Sequence, residues 1–319
     1  MTAPALSRAA SGATEMKVFA GMAILLAVVA PTGLIYPYFL MQALCFALFA
    51  CAFNLLIGFV GLLSFGHAMF LGTAGYASAH AAKVWGLPPE IAIVSGTAAS
   101  TALGLLIGLL AIRRQGIYFS MITLALAQMI YFFYLQAKFT HGEDGIQGVP
   151  QGRMFGLLDL AQPLILYYVV LAVFLLAFLL IYRIINSPFG EILKAIRENE
   201  PRAISLGYKA DQYKLAAFAL SAALAGLAGG LKAIVAQNAS LTDAHWNMSG
   251  EVVLMVLVGG LGTIFGPVVG AFVIIAMQQY LAGIGQWVLV AQGVIFVACV
   301  LAFRRGIVGE IAHRFKLSL

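Results

Sequence analysis

Ser64 and His67 lie three positions apart in the stretch Gly61-Leu-Leu-Ser-Phe-Gly-His67. On a helix that spacing would bring a hydroxyl and an imidazole onto one face, as a nucleophile and its base might be. A triad would also need a third group to orient the imidazole, and no such group or strand-turn-helix context accompanies them. The small residues around the pair favour a close helix contact, with Ser64 and His67 hydrogen-bonded across it. No G-x-x-x-x-G-K-[ST] run occurs, so the chain lacks the backbone cradle and lysine that hold nucleotide phosphates. The apolar spans lack acidic residues in their interiors: Glu90 and Glu251 fall at ends, and Lys232 lies near a terminus where its ammonium can snorkel. Proton-coupled pumps tie movement to an ionisable group inside the membrane, which argues against proton coupling here. Sodium held by backbone carbonyls would leave no such mark. No metal or cofactor site is expected, and the chain is read as non-catalytic.

Residues of this kind have to be held by apolar helices. Apolar residues make up 62% of the 319-residue chain and charged ones 9%, against roughly 45–50% and 25% in soluble domains. The composition predicts an all-α, polytopic membrane protein, with 1–319 a single transmembrane domain in contact with lipid. The net charge of +6 does not point to nucleic acid, because the Lys and Arg residues cluster in loops between apolar runs. Cys45, Cys51 and Cys299 sit inside apolar runs, where a reduced cysteine behaves as a small hydrophobe. Arg8 and Lys17 precede an apolar run from Val18 with no clear cleavage site before Pro31, which reads as an uncleaved first span.

Apolar runs fall at 18–36, 38–58, 62–84, 89–112, 116–137, 163–185, 213–236, 251–282 and 285–303. The 251–282 run is too long for one comfortable span, and Gly259, Gly260, Gly262, Gly266 and Pro267 interrupt it, so it divides into two short segments. The ten segments that result put Arg113, Arg114, the 183–214 cations and the tail cations Arg304, Arg305, Arg314 and Lys316 on one side, with both termini cytoplasmic. They also divide five and five, and an odd number per half makes the second half an inverted repeat of the first. Each half has a glycine-interrupted stretch, Gly58 to Gly75 and Gly259 to Gly270, the usual pointer to a transport pathway at the midplane.

The 186–212 loop has the marks of an interfacial helix. Ser187 can cap it, Pro188 suits its first position, and Phe189, Ile192, Leu193 and Ile196 make an apolar face against Lys194, Arg197 and Glu198. Asn199 and Pro201 end it, and Pro201 to Gly207 can form a second short turn. From periodicity alone, this helix either rests on the bilayer surface or receives a partner that drives movement.

Three stretches in order resemble the M-type permease subunit of the branched-chain amino-acid ABC importers, within a larger permease family that also serves urea, short amides and some aromatic acids. They are Gly58-Phe-Val-Gly-Leu-Leu-Ser-Phe-Gly-His-Ala-Met-Phe70, Gly116-Ile-Tyr-Phe-Ser-Met-Ile-Thr-Leu-Ala125, and Gly190-Glu-Ile-Leu-Lys-Ala-Ile-Arg-Glu-Asn-Glu200 running on to Phe218. The resemblance implies that the third stretch is a cytoplasmic coupling helix seated on an ATPase subunit, with Gly190, Arg197, Glu198, Asn199 and Gly207 carrying the contact. Candidates for the translocation pathway are Ser64, Gly66, His67, Tyr118, Thr123, Gly259, Gly262 and Gly266. The outer loop Thr140-His-Gly-Glu-Asp-Gly-Ile-Gln-Gly-Val-Pro150 is similar to the family's glycine-rich turn, although His141 and Glu143 depart from its two-glycine form. Implied partners are ABC ATPase subunits, a second homologous permease and a periplasmic substrate-binding protein, in the bacterial inner membrane. The alternative on the residues alone is a stand-alone secondary transporter or channel for small solutes.

Overall fold

The computed structural model describes residues 18–28, 36–114, 116–303 and 306–314. The predicted continuation of the first span through 29–35, and the cations Arg8, Lys17, Arg304, Arg305 and Lys316 of the charge-bias argument, lie outside those residues. Within them the chain is almost entirely helical. The helices are α1 (Val18–Val28), α2 (Pro37–Asn54), α3 (His67–Lys83), α4 (Pro89–Ala111), α5 (Ile117–Gln136), α6 (Pro163–Ile185) and α7 (Pro188–Glu198). They are followed by α8 (Glu200–Ser205), α9 (Ala210–Val235), α10 (Trp246–Gly259), α11 (Gly266–Leu281), α12 (Val288–Ala302) and α13 (Gly306–Arg314). Prolines open α2, α4, α6 and α7, where their missing N–H is not needed and their φ already suits a helix.

Among the described residues, five helices are long and apolar enough to cross a membrane: Pro37–Val60, Pro89–Ala111, Ile117–Gln136, Pro163–Ile185 and Ala210–Val235. Four shorter apolar helices complete the set, and with the glycine-containing α3 they match the ten predicted segments in order. The long 251–282 run does divide, between Gly259 and Gly266, but its first helix starts earlier, at Trp246. Small residues permit that reversal: a Cβ on Gly259 would stand 1.9 Å from the Gly266 carbonyl oxygen, so only hydrogen fits between α10 and α11.

Packing follows the five-and-five division. α3 lies on α4 as α10 lies on α11, and α4 packs on α9 as α11 packs on α2. Counterparts also meet: α2 touches α9, α3 touches α10, and α1 meets α6 through the stacked rings of Phe19 and Phe178, 5.5 Å apart. α2 and α9 form the buried centre, whereas α4 and α5 turn wide apolar faces outward, the distribution expected where lipid replaces water.

The turn-rich 138–162 segment folds back onto this bundle. Its strand β1 (Ile146–Gln147) pairs antiparallel with β4 (Asn238–Ala239), and β2 (Arg153–Met154) pairs with β3 (Leu158–Asp159). His141 occupies a left-handed position at φ 59°, a conformation that costs a non-glycine residue more than glycine. That is the physical content of its departure from the two-glycine form.

Candidate coupling and pathway site

α7 is held against the end of the bundle by the features its sequence announced. The Ser187 hydroxyl caps it, accepting from the Gly190 N–H at 3.4 Å, and Gly190, Leu193 and Ile196 are buried while Lys194 and Glu191 pair at 3.4 Å on the outer side. Gly190 earns its place by proximity: a Cβ there would lie 2.1 Å from the Ile185 carbonyl oxygen, so α7 can fold back on the end of α6 only with hydrogen at this position. Asn199 then caps α8, its Oδ1 accepting from the Arg202 N–H at 3.0 Å. Gly207 turns the chain at φ +92° toward α9, and Lys214, 2% exposed, pairs with Glu200 at 2.5 Å to tie α8 to α9.

Arg197 and Glu198 are both exposed, but the Arg197 side chain reaches back to the bundle. Its guanidinium donates to the carbonyl of Gly58, and its Nη1 stands beside Gly262. Gly58 belongs to a π-helical continuation of α2, Leu55–Val60, that ends at Gly61 with φ +82°. Such wide turns free carbonyls and recur at functional positions. Asn54, one turn earlier and 3% exposed, donates to the Thr263 carbonyl at 2.9 Å and accepts from the Gly262 N–H at 3.1 Å. A Cβ on Gly58 would come within 3.0 Å of the Gly262 Cα, so the two glycine-interrupted stretches meet here. They meet at the α7 end of the bundle, not midway along it. A cleft of about 370 Å³ lined by Phe59, Lys194, Arg197, Glu198 and Gly262 runs alongside. α13 closes the same end, with Gly306 against the backbone of Gly260.

The remaining predicted positions do not form one cluster. His67 is fully buried and bonds through Nε2 to the Ser221 hydroxyl at 2.7 Å. Ser221 gives its single proton to the Ala52 carbonyl, so Nε2 of His67 carries the hydrogen and Nδ1 is left without a partner among Phe49, Phe53, Phe70 and Phe218. Ser64 bonds locally, accepting from the Gly66 N–H at 3.3 Å, so no Ser–His dyad forms. The expected hydrogen bond across a helix contact exists, but His67 makes it to α9. Gly66 lies against the Thr123 carbonyl, and Thr123 is buried, bonding Ser120 at 2.9 Å. Tyr118 points away from all of these, 68% exposed on α5. Gly259 and Gly266 serve the α10–α11 contact described above.

At the opposite end, two expectations are overturned. Lys232 does not snorkel: it pairs with Asp243, its Nζ 5.5 Å from the Phe46 ring centre, and both side chains are nearly buried. Glu251 is not terminal but lies in the second turn of α10, accepting from Gln278 Nε2 on α11 at 3.0 Å. The spans looked free of internal charge because Asp243 comes from a loop that folds inward, between α9 and α10. Asn54 was likewise missed. Its signal was present as a lone amide in an otherwise apolar span, a polar group that lipid would not tolerate unpaired. A second cleft of about 370 Å³ opens at this end between the starts of α2 and α6 and the end of α9, with Tyr36, Tyr38, Met41 and Leu166 on its walls.

The fold and this linked end define a multi-pass membrane protein of the transporter class, in which a surface helix is fastened to the seam between two related halves. The chain belongs to the family described as the branched-chain amino acid transport system permease component, whose model matches residues 35–303. It is 26% identical over 288 residues to the high-affinity branched-chain amino acid transport system permease protein LivM of Salmonella typhimurium, covering 83% of this chain and 68% of that protein. The Escherichia coli LivM protein matches equally, at 26% over the same shares. A probable branched-chain amino acid transport permease protein LivM of Methanocaldococcus jannaschii is 29% identical over 117 residues, covering 36% of this chain and 33% of its own. No solved structure matches the chain.

Proposed function

We propose that this chain is one of two membrane subunits of an ABC importer for branched-chain amino acids, and that with a second homologous permease it forms the pathway across the bacterial inner membrane. Membership of the permease family over residues 35–303 carries the reading, and α7, an amphipathic helix with one buried and one charged face, supports it. On this reading α7 faces the cytoplasm with both termini and seats on an ATPase subunit, and Gly190, Arg197, Glu198, Asn199 and Gly207 are the residues that couple it to the bundle. The chain hydrolyses nothing itself. ATP hydrolysis in two partner subunits supplies the work, and a periplasmic binding protein selects the solute and delivers it at the opposite end of the bundle. Ser64, Gly66, His67, Tyr118, Thr123, Gly259, Gly262 and Gly266 remain the pathway candidates.

Purification of the tagged chain in mild detergent, with its companions identified by mass spectrometry, tests the assembly. ATPase subunits and a second permease are expected to co-purify, and the complex in proteoliposomes should take up leucine, isoleucine or valine only with ATP and binding protein. A homo-oligomer that moves solute without ATP would replace this reading with a secondary transporter.

A further inference from the structure

Arg197 has the position of an ATPase contact in sequence, yet its side chain reaches back to the bundle. Its guanidinium donates through Nη1 to the Gly58 carbonyl, one of the last carbonyls of the α2–π helix, which have no helical donor of their own. The same nitrogen stands beside Gly262. On the far side of Gly58, Asn54 grips the Gly262 N–H at 3.1 Å and the Thr263 carbonyl at 2.9 Å, across 208 and 209 positions of sequence. α7, the end of α2 and the α10–α11 turn are thus joined in series, and the last two belong to opposite halves of the repeat. Among the described residues no ion pair involves Arg197. The residue as a whole is exposed, so releasing it from Gly58 strands no buried charge. The adjoining cleft of about 370 Å³ leaves room for the displacement.

We propose that Arg197 is the strut by which displacement of α7 moves the seam between the two halves, with Asn54 as its receiving end, rather than a residue that holds the ATPase. The proposal rests on the reading of α7 as the coupling helix. A push on α7 is carried by the guanidinium to Gly58, and the rigid contact of Gly58 with Gly262 passes it to α10 and α11. Arg197 and Asn54 are positioning residues: neither needs to touch the solute.

The test uses the assembled complex in proteoliposomes and measures, for each variant, subunit co-purification, ATP hydrolysis and amino-acid uptake. Arg197→Met removes the donor but keeps the stem that packs over Gly61. It is expected to retain its ATPase subunits and their hydrolysis while uptake per ATP falls about tenfold, within the usual range of coupling free energies. Arg197→Lys, which can still donate one bond, should recover part of the loss. Asn54→Ala, a separate variant at the other end of the strut, should uncouple in the same way. Loss of the ATPase subunits from a well-folded Arg197→Met complex would make Arg197 a docking residue and overturn the proposal. So would wild-type uptake per ATP in Arg197→Met or in Asn54→Ala. If the unmodified complex itself showed no ATP-dependent uptake, the importer reading would fail instead, and the two failures are distinguishable.

Discussion

The two ends of the bundle are closed by different physics. At the α7 end the halves meet through glycine backbone, one neutral amide and one guanidinium on a carbonyl. At the other end charge is held within the second half, in the nearly buried Lys232–Asp243 pair and in Glu251 bonded to Gln278, and Lys232 meets the first half at the Phe46 ring. The α7 end has an ion pair too, but Lys214 with Glu200 fastens α8 to α9 and leaves the seam untouched. Parting the Arg197–Gly58 bond, made by a charged donor on an exposed residue, costs roughly 1.5–3 kcal/mol. Leaving a buried charge without its partner costs roughly 3–5 kcal/mol. Releasing Arg197 from Gly58 therefore leaves no buried charge behind, whereas separating Lys232 from Asp243 does.

Four substitutions would break or sharpen that contrast. The largest effect is expected from Lys232→Met, which strands Asp243 and should lower stability by about 3–5 kcal/mol. A thermal unfolding series in detergent reads it, and Lys232→Met with Asp243→Leu should regain most of the loss. Stability unchanged by the single substitution would mean that the opposite end is not held by charge. Gly190→Ala comes next, because the facing Ile185 carbonyl is backbone and cannot yield. It should cost about 3 kcal/mol, the upper part of the overpacking range, and weaken retention of ATPase subunits with it. Ser221→Ala removes the acceptor for His67 Nε2 inside the aromatic cluster and should cost about 2 kcal/mol, with little effect on ATPase retention. Ser187→Ala removes only the cap of α7 and should cost about 1 kcal/mol, seen as increased amide exchange confined to 189–191.

Much of the architecture was legible in one dimension. Runs of apolar residues located the spans, the cluster from Gly259 to Pro267 located the break in the longest run, and Ser187, Pro188 and the 3.6-residue rhythm located α7. Each of these signals concerns residues within a few positions of one another, which is the range over which propensity, capping and periodicity act. The odd number of spans per half likewise pointed to an inverted repeat, while which helices pack as counterparts was read only from the structure.

The site was less legible, for the same reason. A helical period says that Arg197 lies on the polar side of α7, but not that the side chain bends back to a carbonyl 139 positions earlier. His67 was expected to meet Ser64 or another span's residue, and only the packing of α3 on α9 selects Ser221, 154 positions away. Tyr118 and Thr123 share one motif, yet the rotation of α5 in the bundle exposes the first and buries the second. Composition and local pattern alone determined that this chain is a stack of membrane helices with one amphipathic helix outside them, because desolvation of an apolar segment is a property of that segment. Which polar groups meet, and at which end charge is locked away, was decided only by tertiary structure. In lipid, an unpaired donor or acceptor is costly wherever it lies, and its partner is whichever helix the packing brings near.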